Sequence, residues 1–438
     1  MTLMKSLLLG SAAALVTVAA AQAADLPTKK GAPAAEYVKV CKINGNAGFI
    51  IPGTDECLKI SGIATGQVEM GNLKQAWNLD SGGGLHAVAT HTRSDFGMTS
   101  RGEVEMDFTS NTAYGPLLGV VDWRVDAGEG FKAMPAKTAN AFNNDGYPNQ
   151  AYVQWAGVTA GVHDSFYDFI AGGETWENIL SPEHSDTGID LLAYTATFGG
   201  GFSATISLED REAAAYAYAD TSVVAANSTL LGDRAPDIVE SLDLTQAWGG
   251  AHLAFVEHNV YQNGTPSGTD VNTWGWGGIA GLTINLPSLG AGDVIKLQGS
   301  YSHAAIEYSG LAGGPGWGAN GNMNGNGVAY VMSDAFDTGA GWAFPTTWGG
   351  AAEATFQLTP QFSISPEISY VDLTWSKAIA EGNMYAWFGG AVFDWSPVKN
   401  LDFALDLVYM SSHFDVGLAA PASTADGFDG RLRVTRTF

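Results

Sequence analysis

Six carboxylates crowd one short stretch, Asp164 to Thr187 (DSFYDFIAGGETWENILSPEHSDT). They are Asp164, Asp168, Glu174, Glu177, Glu183 and Asp186, with no Lys or Arg among them. Carboxylate pairs serve hydrolases as general acid and base, but that chemistry needs positioned partners. No His or Ser motif accompanies these six, and the chain carries neither Gly-x-Ser-x-Gly nor a phosphate-cradling Gly loop. The eight histidines (His86, His91, His163, His184, His252, His258, His303, His413) lack the His-Glu-x-x-His spacing of zinc sites. The sequence thus offers no catalytic, cofactor-binding or metal-binding set. What remains is an acidic loop, which is either solvated or charges the wall of an aqueous passage.

The segment that precedes the fold points to export. Lys5 is followed by an apolar run from Leu7 to Ala21 that ends in Ala21-Gln22-Ala23, a small-residue cleavage site. Residues 1–23 are therefore expected to be a signal peptide, cleaved between Ala23 and Ala24. The net charge of −25 becomes one unit more negative when Lys5 leaves, which makes nucleic acid an unsuitable partner. In an oxidising compartment Cys41 and Cys57 read as a disulfide rather than as free thiols or metal ligands, since no His or further Cys lies near them. A loop this short gives a stabilisation of about 3 kcal/mol. Residues 24–57 then form a linker and bridged segment, and residues 58–438 form the main body.

That body is patterned in twos. In Phe428–Phe438 (FDGRLRVTRTF) Phe428, Leu432, Val434 and Phe438 oppose Asp429, Arg431, Arg433, Thr435 and Thr437. From Met98 to Phe108, Met98, Val104, Met106 and Phe108 oppose Thr99, Arg101, Glu103, Glu105 and Asp107. Burying so many charges in a packed core would cost several kcal/mol each, so the charged face must meet water and the apolar face lipid. Sixteen such strands can be traced as hairpins, with tight turns at Ala156-Gly157, Gly199–Gly201 and Thr359-Pro360. Long connections alternate with the tight turns. Among them are Asn259 to Asn272 and the one from Ala305 to Thr346, which holds the Gly/Asn-rich tract Gly313–Gly327. A final strand with an open edge is a liability that pairing with the first strand removes. The expected fold is all-β, a 16-stranded antiparallel transmembrane barrel. Trp123, Trp155, Tyr194, Trp395 and Tyr409 are placed in its interfacial belts.

The chain resembles the alphaproteobacterial general porins, trimeric 16-stranded outer-membrane channels. The likeness rests on the leader KSLLLGSAAAL, on EYVKVCKINGNAGFIIPGTDECLKISG (Glu36 to Gly62), on QLTPQFSISPEISY (Gln357 to Tyr370) and on the ending RVTRTF. The resemblance implies that the loop after the fifth strand, Asp164 to Thr187, folds inward and narrows the barrel. Its acids would face the basic lumen residues Lys59, Arg101, Arg124, Arg431 and Arg433, and such a transverse field orients polar solutes. Arg436 departs from the porin pattern, which often has an aromatic residue there; it is expected to snorkel to the rim or to pair across a subunit contact.

The reading is a passive channel for ions and small hydrophilic solutes in a Gram-negative outer membrane, with a weak cation preference. Its partners are the bilayer, lipopolysaccharide (through divalent cations at acidic loops) and two further copies in a homotrimer. Small outward residues Gly62, Ala64 and Gly66 are suited to the subunit contact. No enzyme activity and no cofactor are expected. A substrate-specific porin, marked by an inward aromatic row, is the alternative; a secreted β-protein or hydrolase is the third reading.

Overall fold

The computed structural model describes residues 39–71, 76–79, 85–88, 96–129, 145–170, 188–210, 228–230, 234–264, 268–310, 334–337, 341–375, 383–415 and 423–438. The leader with Ala23 and Ala24, the Gly313–Gly327 tract, and Glu174, Glu177, Glu183 and Asp186 lie outside these residues.

Sixteen strands form one closed antiparallel barrel. In chain order they are β1 (Cys57–Gly71), β2 (Phe96–Thr112), β3 (Gly115–Glu129), β4 (Asp145–Trp155), β5 (Val158–His163), β6 (Ile189–Gly199), β7 (Phe202–Asp210) and β8 (Asp237–Gln246). The second half comprises β9 (Gly249–Gly264), β10 (Val271–Asn285), β11 (Val294–His303), β12 (Pro345–Thr359), β13 (Phe362–Trp375), β14 (Asn383–Val398), β15 (Leu401–Asp415) and β16 (Ser423–Thr437). Each strand pairs with its chain neighbours, and β16 pairs with β1 from Asp429↔Gly71 to Thr437↔Ile63. At the seam the Phe438 amide donates to Gly62 O at 3.0 Å, and the Gly62 amide donates to Phe438 O at 3.2 Å. Among the described residues every wall strand is paired on both sides, as a bilayer requires. Among the described residues no helix is long and apolar enough to cross a membrane; the strands do that work.

The alternation sets which side chains face lipid. Leu192, Tyr194, Ile206, Leu242, Leu253 and Phe255 are exposed outward, while their neighbours Leu191, Ala193, Thr205, Ser241 and Ala254 are buried inward. The expected belt residues Trp123, Trp155, Tyr194, Trp395 and Tyr409 are all exposed. Tight turns cap one rim; at Ala156 and Gly157 both φ angles are positive, the geometry whose twist matches a two-residue hairpin.

Several strands run beyond the limits that periodicity suggests. The connection expected from Asn259 to Asn272 is mostly strand, because β9 continues to Gly264 and β10 starts at Val271. Above the lipid both faces of a strand are wet, so the pairing continues after the alternation has ended. The connection after β1 carries its own hairpin, Ala76–Leu79 with Leu85–Val88.

Before β1 a hairpin of Val40–Ile43 and Asn46–Ile50 joins the wall through Phe49↔Leu58 and Ile50↔Cys57. A disulfide links Cys41 to Cys57, with Cα atoms 5.8 Å apart. Arg436 points outward and turns to the rim, where its guanidinium donates to Asn400 O at 2.8 Å.

Candidate functional site

The site is built where the chain leaves β5. Asp164 accepts from the Gln150 amide at 2.9 Å. The Ser165 hydroxyl and the Phe166 amide then donate to the buried Glu209 carboxylate of β7, at 2.7 and 3.2 Å. A carboxylate taken out of water needs such donors to offset its desolvation. Two residues on, Tyr167 O meets His252 Nε2 of β9 at 3.1 Å, while His252 Nδ1 faces Asp243 Oδ1 at 2.7 Å. The Phe169 ring stacks on His252 at 5.7 Å and lies over Gly281 of β10, where a Cβ would come within 2.3 Å of the ring. Finally the Ile170 amide donates to Gln298 of β11 at 2.8 Å, and its side chain packs on Ala351 of β12. Seven residues thus carry the chain from β5 to the wall at β11 and β12. The start of the loop lies inside the barrel.

Apolar packing fixes this path. The inner faces of β6, β8, β9 and β10 present Ile189, Leu191, Ala193, Val239, Val256 and Ile279 to Phe166, Tyr167 and Phe169. Tyr167 is fully buried, and burial, with Asp168 beside it, holds its phenol well above the usual range. It therefore stays a hydrogen-bond donor, directed at Tyr308 O at 2.8 Å. Asp164 is exposed and Asp168 partly so, which leaves two carboxylates of the loop in contact with water.

The five basic candidates occupy four consecutive strands, β16, β1, β2 and β3. Lys59 reaches Asp107 at 2.8 Å and Glu105 at 3.1 Å, both on β2. Arg124 Nε donates to Glu103 at 2.8 Å. Arg431 is buried and stands opposite Asp406 in register, and Arg433 stands opposite Ala404. Arg101 faces Thr65 and Asp126 across its two ladders. The wall acids Glu103, Glu105 and Asp107 are direct partners of Lys59 and Arg124. Their alternation along β2 was visible in the sequence; their position opposite Lys59 follows from the register.

Two groupings of side chains appear only once the chain is folded. His163 lies 4.5 Å from Tyr152 and parallel to Phe166 at 5.5 Å, which makes an inward aromatic row. A second inward segment, Ala304–Gly310, follows β11; its Tyr308 is fully buried against Tyr167.

Comparison with known proteins agrees with the barrel fold. A sequence profile described as Porin subfamily matches residues 25–429. The chain is 28% identical to porin Omp2b of Brucella suis biovar 1 (strain 1330) over 397 residues, covering 88% of this chain and 97% of the relative. Omp2b of Brucella abortus (strain 2308) matches to the same extent. Among solved structures, the outer membrane channel DcaP of Acinetobacter baumannii superposes with a TM-score of 0.62 at 13% identity. That match covers 89% of this chain and 99% of that one. In vitro folded OmpT of Vibrio cholerae, an outer membrane protein, superposes at 0.50 and 9% identity, with the same coverages.

Proposed function

The chain belongs to the Porin subfamily and is an outer-membrane porin channel, and we propose that the loop beginning at Asp164 narrows its lumen to a charged aperture against the β16–β1–β2–β3 wall. The observation that carries this reading is the reach of Ile170 to Gln298, from β5 to β11. In the proposal Asp164, Asp168, Glu174, Glu177, Glu183 and Asp186 edge the aperture from the loop side. Lys59, Arg101, Arg124, Arg431 and Arg433, with Glu103, Glu105 and Asp107, line the facing wall. Ions and small hydrophilic solutes diffuse through without reaction or cofactor.

Among the described residues the inward carboxylates (Glu103, Glu105, Asp107, Asp122, Glu209, Asp237, Glu353, Glu367, Asp406) outnumber the inward bases. This excess supports a modest cation preference. A homotrimer is proposed from the family resemblance. The exposed small residues Ala64, Gly66 and Gly102 on β1 and β2 support it, because a flat outward patch admits a second barrel closely. Acidic loops would meet lipopolysaccharide through divalent cations.

The test is conductance of the purified protein in a planar bilayer. Steps in threes with a cation-directed reversal potential under a salt gradient are expected, and a clear anion preference would overturn the charge reading. The Tyr152–His163–Phe166 row favours a second reading, a solute-selective porin that stacks rings. Sugar block at low concentration would select it.

A further inference from the structure

The aperture loop touches more than the barrel wall. Tyr167 donates its phenol to Tyr308 O at 2.8 Å, and the two rings meet edge to face at 4.8 Å. Both residues are fully buried. Tyr308 sits in a single 3-10 turn, Ile306–Ser309, of the connection between β11 and β12. Sequence separation gives no hint of the pairing, since the partners are 141 positions apart.

The turn is itself tied to the wall on every side. The Tyr308 phenol donates to Asp237 Oδ2 of β8. Asp237 also receives His258 Nδ1 of β9 at 2.9 Å, and His258 Nε2 faces Asp334 at 3.4 Å. Asp334 belongs to the same connection and accepts the Ile306 amide at 2.8 Å, which closes the circuit. Ser309 Oγ donates to Ser302 Oγ of β11 at 2.9 Å. Room for the two tyrosines exists because β10 carries Gly277 beneath them. A Cβ there would stand 2.9 Å from Tyr308 Cβ and 3.2 Å from the Tyr167 hydroxyl.

We propose that the Ile306–Ser309 turn is a clamp that holds the aperture loop at one width, so that pore size is set by two loops acting through the Tyr167–Tyr308 contact. This rests on the reading of the Asp164 loop as the constriction. A loop held only by its two ends opens locally at small free-energy cost; one whose first turn is bonded, through Tyr167, to a network anchored on β8, β9 and β11 keeps that stretch in place. Tyr308 is a positioning residue here, because it touches the loop and not the solute. The neutral donor on Tyr167 and the buried carbonyl that receives it make the clamp insensitive to salt, unlike the exposed charges of the aperture.

The experiment compares wild type, Tyr167→Phe and Tyr308→Ala by single-channel recording in planar bilayers. Retention of the barrel is read separately, from heat-modifiable mobility in detergent. Tyr167→Phe keeps the ring and deletes one hydrogen bond. The expected result is a higher-conductance sublevel, with an occupancy about fivefold that of wild type, the factor equivalent to about 1 kcal/mol for one buried hydrogen bond. Tyr308→Ala should open the sublevel further and admit larger sugars in liposome swelling. If it fails to fold, Tyr167→Phe alone decides. Conductance, noise and size cut-off all equal to wild type in a folded Tyr167→Phe would overturn the clamp. A wild-type protein that does not conduct would instead overturn the constriction reading beneath it.

Discussion

Lys59 of β1 and Asp107 of β2 are directly opposed in register, and their side chains close to 2.8 Å inside the lumen. Glu105 completes the group at 3.1 Å from the same ammonium. One base thus compensates two acids at the wall that faces the proposed aperture. Lys59→Met should release both carboxylates and raise cation over anion permeability by about twofold, an order-of-magnitude expectation for one charge in a narrow aqueous passage. Reversal potential under a salt gradient measures it. Lys59 is about a third exposed but Asp107 is buried, so leaving that carboxylate without its cation should cost about 1–3 kcal/mol.

Gly281 gives the floor on which Phe169 lies. Gly281→Val would drive a side chain into the ring at a spot where even a Cβ comes within 2.3 Å, so the loop must lift off His252. Overpacking of this kind costs about 1–3 kcal/mol. The backbone ladder of β10 is untouched, and a barrel of normal heat-modifiable mobility with noisier, altered conductance is expected. Unchanged recordings from folded protein would show that the loop does not shape the passage.

The Cys41–Cys57 bond closes a loop of 16 residues. Cys41→Ser with Cys57→Ser, or reduction, should lower stability by about 3 kcal/mol in the chain-entropy account. The loss should be confined to the amino-terminal hairpin, since closure runs through β16 and β1. Reductant should increase proteolysis near Val40–Ile50 while conductance holds steady; a fall in conductance would tie the hairpin to the passage.

Phe438 and Gly62 exchange two backbone hydrogen bonds at the seam. Phe438→Ala keeps those bonds but removes a ring that is about half exposed, so a loss of about 1 kcal/mol is expected from partial burial. The measurement is the yield of folded barrel on refolding into detergent, and a yield equal to wild type would place the seam's strength in the backbone alone.

The barrel was legible in the sequence because strands such as Met98–Phe108 alternate between lipid and water, with Ser100 the exception on the apolar face. The same rule fails on β6, where Ile189, Leu191 and Ala193 face inward and Leu192 and Tyr194 face outward, so that both faces are apolar. The inner set is apolar because Phe166 covers it, a contact that no local pattern encodes. The bases at Lys59 and Arg124 were identifiable as inward residues. Their partners are set by register, and register follows from the turns and the closure rather than from any one strand. Tyr167 and Tyr308 lay hidden for a related reason. Aromatic residues in long polar connections look alike until the fold shows which of them meet.

The seam also dictates an order of events during biogenesis. Thr65 and Thr435 share a hydrogen bond at 3.1 Å although 370 residues separate them. Until that meeting, β1 and β16 are both bare edges, ready to pair with any other chain. Closure of so long a loop comes late and slowly. The edge of β1 is therefore satisfied only once the last strand has reached it. A chain stalled before β16 would be an aggregation hazard rather than a smaller channel.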